Sequence, residues 1–363
     1  MHRLILTLTM AVLISGSVHA QPAFEQFSWH QVSPEQVEGK GWNATTAPFD
    51  RLPAAAEKRV RTEVWKLSRH SSGMCVDFTT DATTIAVRWT LTSPQLAKPH
   101  MAATGVSGLD LYVRRGDQWQ FAGTARPTQV PTNETTIATG LDPASKQCRI
   151  YLPLYNGVSS LEIGTPVGAT FTFAGTRSLQ KPIVFYGTSI THGGCASRPG
   201  MSYPAILGRR LEMPTINLGF SGNGKCEPEV AKLLGELDPA LFVIDPLPNN
   251  MPQHAATLLP KFLDVLREAR PETPILLISG PHYADAPVVA ARAKRGTDGD
   301  RVVESIYRER IAAGDKNLYF ALGTDFTADG GDATVDGTHP TDLGFVLMAD
   351  AFEPHIRRAL QSP

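Results

Sequence analysis

The chain predicts two domains of different class: an all-β sandwich over residues 21–178, then an α/β domain of parallel strands with helices on both faces over residues 179–363. Three observations carry this. At 363 residues the chain exceeds the ~150-residue scale of one domain. The first half shows short period-two runs bounded by turn residues. The second alternates apolar runs with helical stretches. Hydrophobic residues make up 42% and charged residues 19%, which suits packed cores rather than a disordered chain.

In chain order, the first twenty residues read as an export signal. His2 and Arg3 give a short positive start, Leu4 to Ile14 is apolar, and Val18-His19-Ala20 suits signal peptidase. The apolar run is shorter than the ~20 residues a membrane span needs, and no later stretch is long and apolar enough to span. Export, to a periplasmic or secreted location, is the expectation. The net charge of −1 leaves no broad basic field, so nucleic acid is not expected as a partner.

In the first half, 83–91 and 108–115 read as strands, with 119–124 returning across Gly116-Asp117 as a hairpin partner. Two more runs, 149–155 and 160–164, flank Asn156-Gly157. In the second half, strands are expected at 182–187, 215–219, 240–245, 274–279 and 318–322. Helices are expected at 202–211, 228–237, 257–270, 301–313 and 343–360. The basic run 291–295 reads as a solvated face. Ligands of such parallel sheets bind beyond the carboxyl ends of the strands, so the segments after the strands carry the chemistry.

After the first of these strands comes Gly187-Thr188-Ser189, which places a serine hydroxyl where a helix begins, its own N–H facing a developing oxyanion. Alone, such a serine is an ordinary helix cap. After the second strand, Gly219 to Gly224 holds three glycines in six residues, which allow close backbone approach and free N–H groups, although the segment also suits a plain glycine-rich turn. After the third, Asn249 and Asn250 can donate a side-chain amide, although either suits a plain turn. Near the C-terminus, Asp336 and His339 stand three apart on one loop. There the carboxylate can fix the imidazole tautomer and leave Nε2 free as a base. Together the four segments suit acyl transfer.

Those four blocks resemble the signature blocks of the SGNH (GDSL-type) hydrolases, over roughly residues 181–363. The resemblance implies a flavodoxin-like α/β/α fold and ester hydrolysis without a metal or other cofactor. It assigns Ser189 as nucleophile, His339 as base and Asp336 as its orienting partner. The oxyanion hole would comprise the N–H groups of Ser189 and Gly222 and the amide of Asn249. The family's Gly-Asp-Ser reads Gly-Thr-Ser here. Its Gly-x-Asn-Asp reads Leu247-Pro248-Asn249-Asn250, which leaves open which asparagine donates. Gly108-Leu109-Asp110-Leu111-Tyr112 resembles the Gly-x-Asp-Leu-Tyr signature of a jelly-roll-like β-sandwich that precedes one branch of these enzymes. The expected function is removal of acetyl groups from carbohydrate, such as plant cell-wall polysaccharide or its oligosaccharides. The alternatives are a lipid esterase, lysophospholipase or thioesterase of the same fold, or a non-catalytic carbohydrate-binding protein.

Four cysteines in an exported chain permit two disulfides, with buried free thiols as the alternative. Cys195 and Cys226 each follow an active-site segment and are expected to pair, leaving Cys75 with Cys148 inside the sandwich. All five tryptophans fall in the first half, where they serve core packing or sugar stacking. His192, His254, His282 and His355 lack metal-like spacing and read as surface or loop residues, with His192 and His282 near the site. The sequence leaves the polysaccharide, the acyl position and the oligomeric state open.

Overall fold

The structure, a computed structural model, describes residues 26–175, 180–323 and 329–361. The expected export signal at residues 1–20 and the expected junction at 178–179 lie outside the described residues.

The first half forms two packed antiparallel sheets. One has the order β1-β9-β4-β7, from β1 (Phe27–Gln31), β4 (Thr84–Leu91), β7 (Thr132–Thr139) and β9 (Val158–Pro166). The other has the order β10-β3-β8-β5-β6, from β3 (Cys75–Thr80), β5 (Leu109–Arg115), β6 (Gln118–Ala125), β8 (Lys146–Tyr151) and β10 (Phe171–Phe173), with β2 (Val37–Glu38) pairing β3. Strand β4 shows the alternation that builds the sandwich. Ile85, Val87, Trp89 and Leu91 are buried in the core between the sheets. Arg88 points outward, bonding Glu134 on β7 at 2.5 Å and Glu162 on β9 at 2.9 Å. Two short helices, α1 (Thr62–Ser68) and α2 (Ala103–Val106), lie in the connections.

The second half is a five-stranded parallel sheet of order β12-β11-β13-β14-β15: β11 (Ile183–Gly187), β12 (Thr215–Gly219), β13 (Leu241–Asp245), β14 (Ile275–Ile278) and β15 (Leu318–Ala321). The helices are α3 (Ser189–His192), α4 (Tyr203–Leu211), α5 (Pro228–Gly235), α6 (Pro252–Ala269), α7 (Ala290–Ala312) and α8 (Asp342–Leu360). Successive residues of β11 face opposite ways. Val184 and Tyr186 pack with Leu234 of α5, Phe262 of α6 and Val303 of α7. Ile183 and Phe185 pack with Tyr203 of α4 and Phe345 and Phe352 of α8. Because β11 lies between β12 and β13, the strand order reverses at β11, which opens a crevice at the carboxyl ends. No helix among the described residues is long and apolar enough to cross a membrane.

The sequence reading differs from the structure at several elements. Helix α6 starts at Pro252 rather than 257, because proline fits the first turn of a helix. Helix α7 starts at Ala290 rather than 301. Its first turns are polar and contain two glycines, so no apolar stripe marks them. Strands β8 and β9, which flank Asn156-Gly157, belong to different sheets. Asn156 is buried there, bonding the backbone of Ser93 on both sides and the Ser107 hydroxyl.

The expected disulfides are corrected: Cys75, Cys148, Cys195 and Cys226 are all buried free thiols. On the β3–β8 ladder Cys148 stands opposite Phe78 and Cys75 opposite Tyr151. Phe78 is three steps along the strand from Cys75, an odd number, so the two thiols point from opposite faces of one sheet. Cys148 lies in the sandwich core and Cys75 packs with Tyr112 and Ala205 instead. Cys226 packs under the α5–α6 face of the parallel sheet. Cys195 sits on the loop after α3, where burial first and the Asp336 carboxylate second push its thiol up to about 12.

Candidate active site

The site forms where β11, β12 and β13 end and the α8 leader crosses them. Strand β11 ends at Gly187, and Thr188 caps α3, its hydroxyl accepting from the Ile190 N–H at 3.4 Å. Ser189 is therefore the first residue of the helix, 6% exposed. Helix α3 lies directly on the end of β12. A β-carbon on Gly219 would stand 2.1 Å from the His192 nitrogen, so no larger residue fits there.

Ser189 Oγ stands 2.9 Å from His339 Nε2, and His339 Nδ1 stands 2.8 Å from Asp336 Oδ2. With Nδ1–H donating to the carboxylate, Nε2 is left to accept the serine proton. The loop holding this pair is self-locked. The other Asp336 oxygen accepts the N–H groups of Thr338 and His339 at 3.0 and 2.8 Å. Partial burial pushes the Asp336 carboxyl up, but the bonds from the His339 N–H and imidazole and from Thr338 outweigh it and hold the group below its usual value. Asp342, at the start of α8, accepts the Ser197 N–H at 2.9 Å and its hydroxyl at 2.5 Å, tying the base-bearing loop to the nucleophile-bearing one.

The glycine-rich loop after β12 turns through Gly222, which is exposed with φ +68°, a left-handed conformation suited to glycine. Asn223 closes this turn, its amide donating to the Ser221 carbonyl at 3.0 Å. The half-buried Asn249 donates its amide to the Asn223 carbonyl at 2.7 Å, so Asn249 stands against the Gly222 loop. Asn250 is 3% exposed and donates back to Pro246 O at 3.1 Å within its own turn. Of the two asparagines left open by the sequence, Asn249 meets the other site segments and Asn250 turns away.

The first half of the chain forms one side of this site, which the sequence reading missed. Tyr155, buried, donates its hydroxyl to the Ser189 carbonyl at 3.3 Å and stacks on His192 with ring centres 4.2 Å apart. His100, exposed, holds its ring 5.8 Å from that of His339. Arg51 is 1% exposed and has no carboxylate partner among the described residues. Its guanidinium donates to the carbonyls of Leu67, His70, Asn217 and Gly219 at 2.7–3.1 Å. Burial lowers it to about 9, which still leaves it charged at neutral pH. None of these residues lies near the site blocks in sequence. The only local signal was a charged Asp50-Arg51 pair set between Phe49 and Leu52.

His192 is corrected from a surface or loop residue to a fully buried one at this seam, with Nε2 2.7 Å from Leu154 O. His282 is half-buried, 2.7 Å from Asp300 Oδ2, in a crevice also lined by Asn250. Trp89 lies in the core, Trp42 donates to Glu236 across the seam at 2.9 Å, and Trp119 stands under the guanidinium of Arg149. Among the described residues no group of three or more His, Cys, Asp or Glu is arranged to hold a metal ion.

Known proteins match both halves of the chain. Residues 180–357 match the GDSL-like Lipase/Acylhydrolase family, and residues 27–171 match the N-terminus of Esterase_SGNH_hydro-type. The chain is similar to a crystal structure described as a GDSL-like lipase from Bacteroides ovatus, with 34% identity and a TM-score of 0.85 over 92% of this chain and 98% of that one. It shares its fold with a salicylyl-acyltransferase from a tetracycline biosynthetic pathway (20% identity, TM-score 0.68, 93% and 96% covered). It also shares it with an acetyl xylan esterase from the rumen bacterium Butyrivibrio proteoclasticus (12% identity, TM-score 0.59, 92% and 98% covered). No curated protein matches the chain.

Proposed function

The chain belongs to the GDSL-like lipase/acylhydrolase family, and from that premise we propose that it is an exported serine esterase that removes acetyl groups from carbohydrate. The observation that carries the reading is the unbroken chain from Ser189 Oγ through His339 to Asp336, at 2.9 and 2.8 Å. In the first step Ser189 Oγ attacks the ester carbonyl carbon while its proton passes to His339 Nε2. The carbonyl oxygen becomes an oxyanion, received by the N–H groups of Ser189 and Gly222 and the amide of Asn249. Collapse of the intermediate breaks the bond to the sugar oxygen, which leaves as a hydroxyl carrying the proton from His339. Water, deprotonated by the same imidazole, then releases acetate and restores the serine.

The preference for a short acyl group rests on what borders the nucleophile. Against Ser189 stand Gly194 and the Tyr155 hydroxyl, small and polar, whereas a long acyl chain needs an apolar groove. A β-carbon on Gly194 would already stand 2.8 Å from the Tyr155 hydroxyl and 3.3 Å from the His339 ring. Each buried methylene is worth ~0.8 kcal/mol, so an enzyme built for long chains gains rate steadily with chain length. The acetyl xylan esterase among the fold relatives agrees with this reading, and the export signal read from residues 1–20 agrees with a substrate outside the cytoplasm. The test is a series of p-nitrophenyl esters together with acetate release from acetylated xylan. The expected result is the highest kcat/KM for acetate, a sharp fall by butyrate, acetate freed from the glycan, and loss of all turnover in Ser189→Ala. A preference for octanoate would favour the lipase reading and overturn this one.

A further inference from the structure

A side chain of the first domain reaches both loop donors of the proposed oxyanion hole through one residue. Arg61 precedes α1, and its Nη2 donates to Asn223 Oδ1 at 2.6 Å. Its Nε donates to Glu227 Oε1 at 3.1 Å, and Glu227 is itself held by the Tyr186 hydroxyl at 3.0 Å and the Lys225 N–H at 2.9 Å. The guanidinium is thus fixed by a carboxylate anchored to the sheet and bears on Asn223. Asn223 has two further duties: its amide closes the turn that aims the Gly222 N–H, and its carbonyl holds the amide of Asn249. Asn223 is 8% exposed, so in the folded chain its side-chain oxygen is held by the Arg61 guanidinium and not by bulk water.

We propose that Arg61 is a positioning residue for the oxyanion hole, setting the geometry of Gly222 and Asn249 through Asn223. This rests on the serine-esterase reading. An oxyanion donor acts on charge that develops only in the transition state, so misplacing it lowers kcat and leaves ground-state binding nearly intact. Neighbouring Arg59 supplies the control. It also crosses between the two halves, pairing with Glu236 at 2.9 Å, but Glu236 follows α5 and has no bond to the loop. The Arg61 side chain is 46% exposed and that of Arg59 40%, so neither truncation opens a core cavity.

The experiment measures kcat and KM on p-nitrophenyl acetate for the full chain with Arg61→Ala, Arg61→Lys, Arg59→Ala, Asn249→Ala and the Arg61→Ala/Asn249→Ala double variant. Urea midpoints check folding. Removing one donor outright costs about 10²–10³ in rate. Displacing donors is expected to cost about tenfold to a hundredfold in kcat for Arg61→Ala, with KM within about twofold. Arg61→Lys should recover part of the loss and Arg59→Ala should match the parent. The double variant should lose less than the product of its single losses, since one geometry is being removed twice. Wild-type kcat in Arg61→Ala, or losses that multiply in the double variant, would overturn the proposal. Failure of the underlying esterase reading looks different: Ser189→Ala would then retain turnover.

Discussion

Asp245 ends β13 directly beside Gly187, the last residue before the nucleophile turn, and is fully buried. Neither carboxylate oxygen has a hydrogen-bond partner among the described residues. Burial pushes this carboxyl from 3.8 up to about 7, so the folded chain keeps it protonated where the unfolded chain has released the proton. The folded-state value is raised. The stability this confers is therefore fully present below pH 4 and is lost as the pH climbs to about 7, by roughly 4 kcal/mol in all at ~1.4 kcal/mol per pH step. Asp245→Asn replaces the group with one that never ionises. Its stability relative to the parent should rise steadily between pH 4 and 7 and level off above, with a pH-independent offset of about 1–3 kcal/mol against it if the amide also lacks a partner. The comparison must be between variant and parent. Burial lowers His192, and burial with Arg51 lowers His70 to about 3, so these two tilt the parent's own curve the other way in the same range. Urea denaturation of both proteins at half-unit steps from pH 4 to 8.5 reads the difference. A difference that stays flat across that range would refute the buried, raised carboxyl.

Three further outcomes are expected. Asp336→Asn should lower kcat by up to ~10⁴, as loss of the orienting carboxylate does in serine proteases. Because the Asp336 carboxyl is held below its usual value, it keeps its charge and its bond to His339 until the pH falls through that lowered value, so an acid limb of the rate near neutrality must come from another group. Asn250→Ala should cost about 1–3 kcal/mol of stability, seen as a lower urea midpoint, with far less loss of kcat than Asn249→Ala. A dominant rate loss at Asn250 would instead make it the donor. Thiol titration in denaturant without reductant should give four groups per chain, and very slow reaction in native protein, where burial pushes Cys75 and Cys148 up to about 12. Two groups or none would restore the disulfides.

What the sequence made legible is local. Asp336 and His339 pair across three residues, and the loop closes on its own N–H groups, so spacing alone suffices to suggest the contact. Ser189 follows from a strand that runs into glycine at the start of a helix. The parallel-sheet strands are visible because they are buried on both faces and read as continuous apolar runs. Strand β7, Thr-Asn-Glu-Thr-Thr-Ile-Ala-Thr, is nearly invisible because its place is set by pairing with β4 and not by its own composition. The cysteines show the same limit in another form. Cys75 and Cys148 lie on paired strands, but face parity on β3 and β8 decides which way each points, and only the register reveals it.

The same reasoning locates the part of the site that motifs cannot supply. The blocks carrying Ser189, Gly222, Asn249 and His339 bring reactive groups to the ends of three strands and the α8 leader, but a short loop such as Ser221–Asn223 has no intrinsic rigidity. Its stiffness comes from donors more than 160 residues away in sequence: Arg51 on the Asn217 and Gly219 carbonyls, and Arg61 on Asn223. An oxyanion hole works by being in place before charge develops, so these remote donors bear on the rate as directly as the loop's own sequence does. The first half of the chain then bears on the catalytic loop through Arg51 and Arg61, and substitutions at these two positions should be read in kcat as well as in stability.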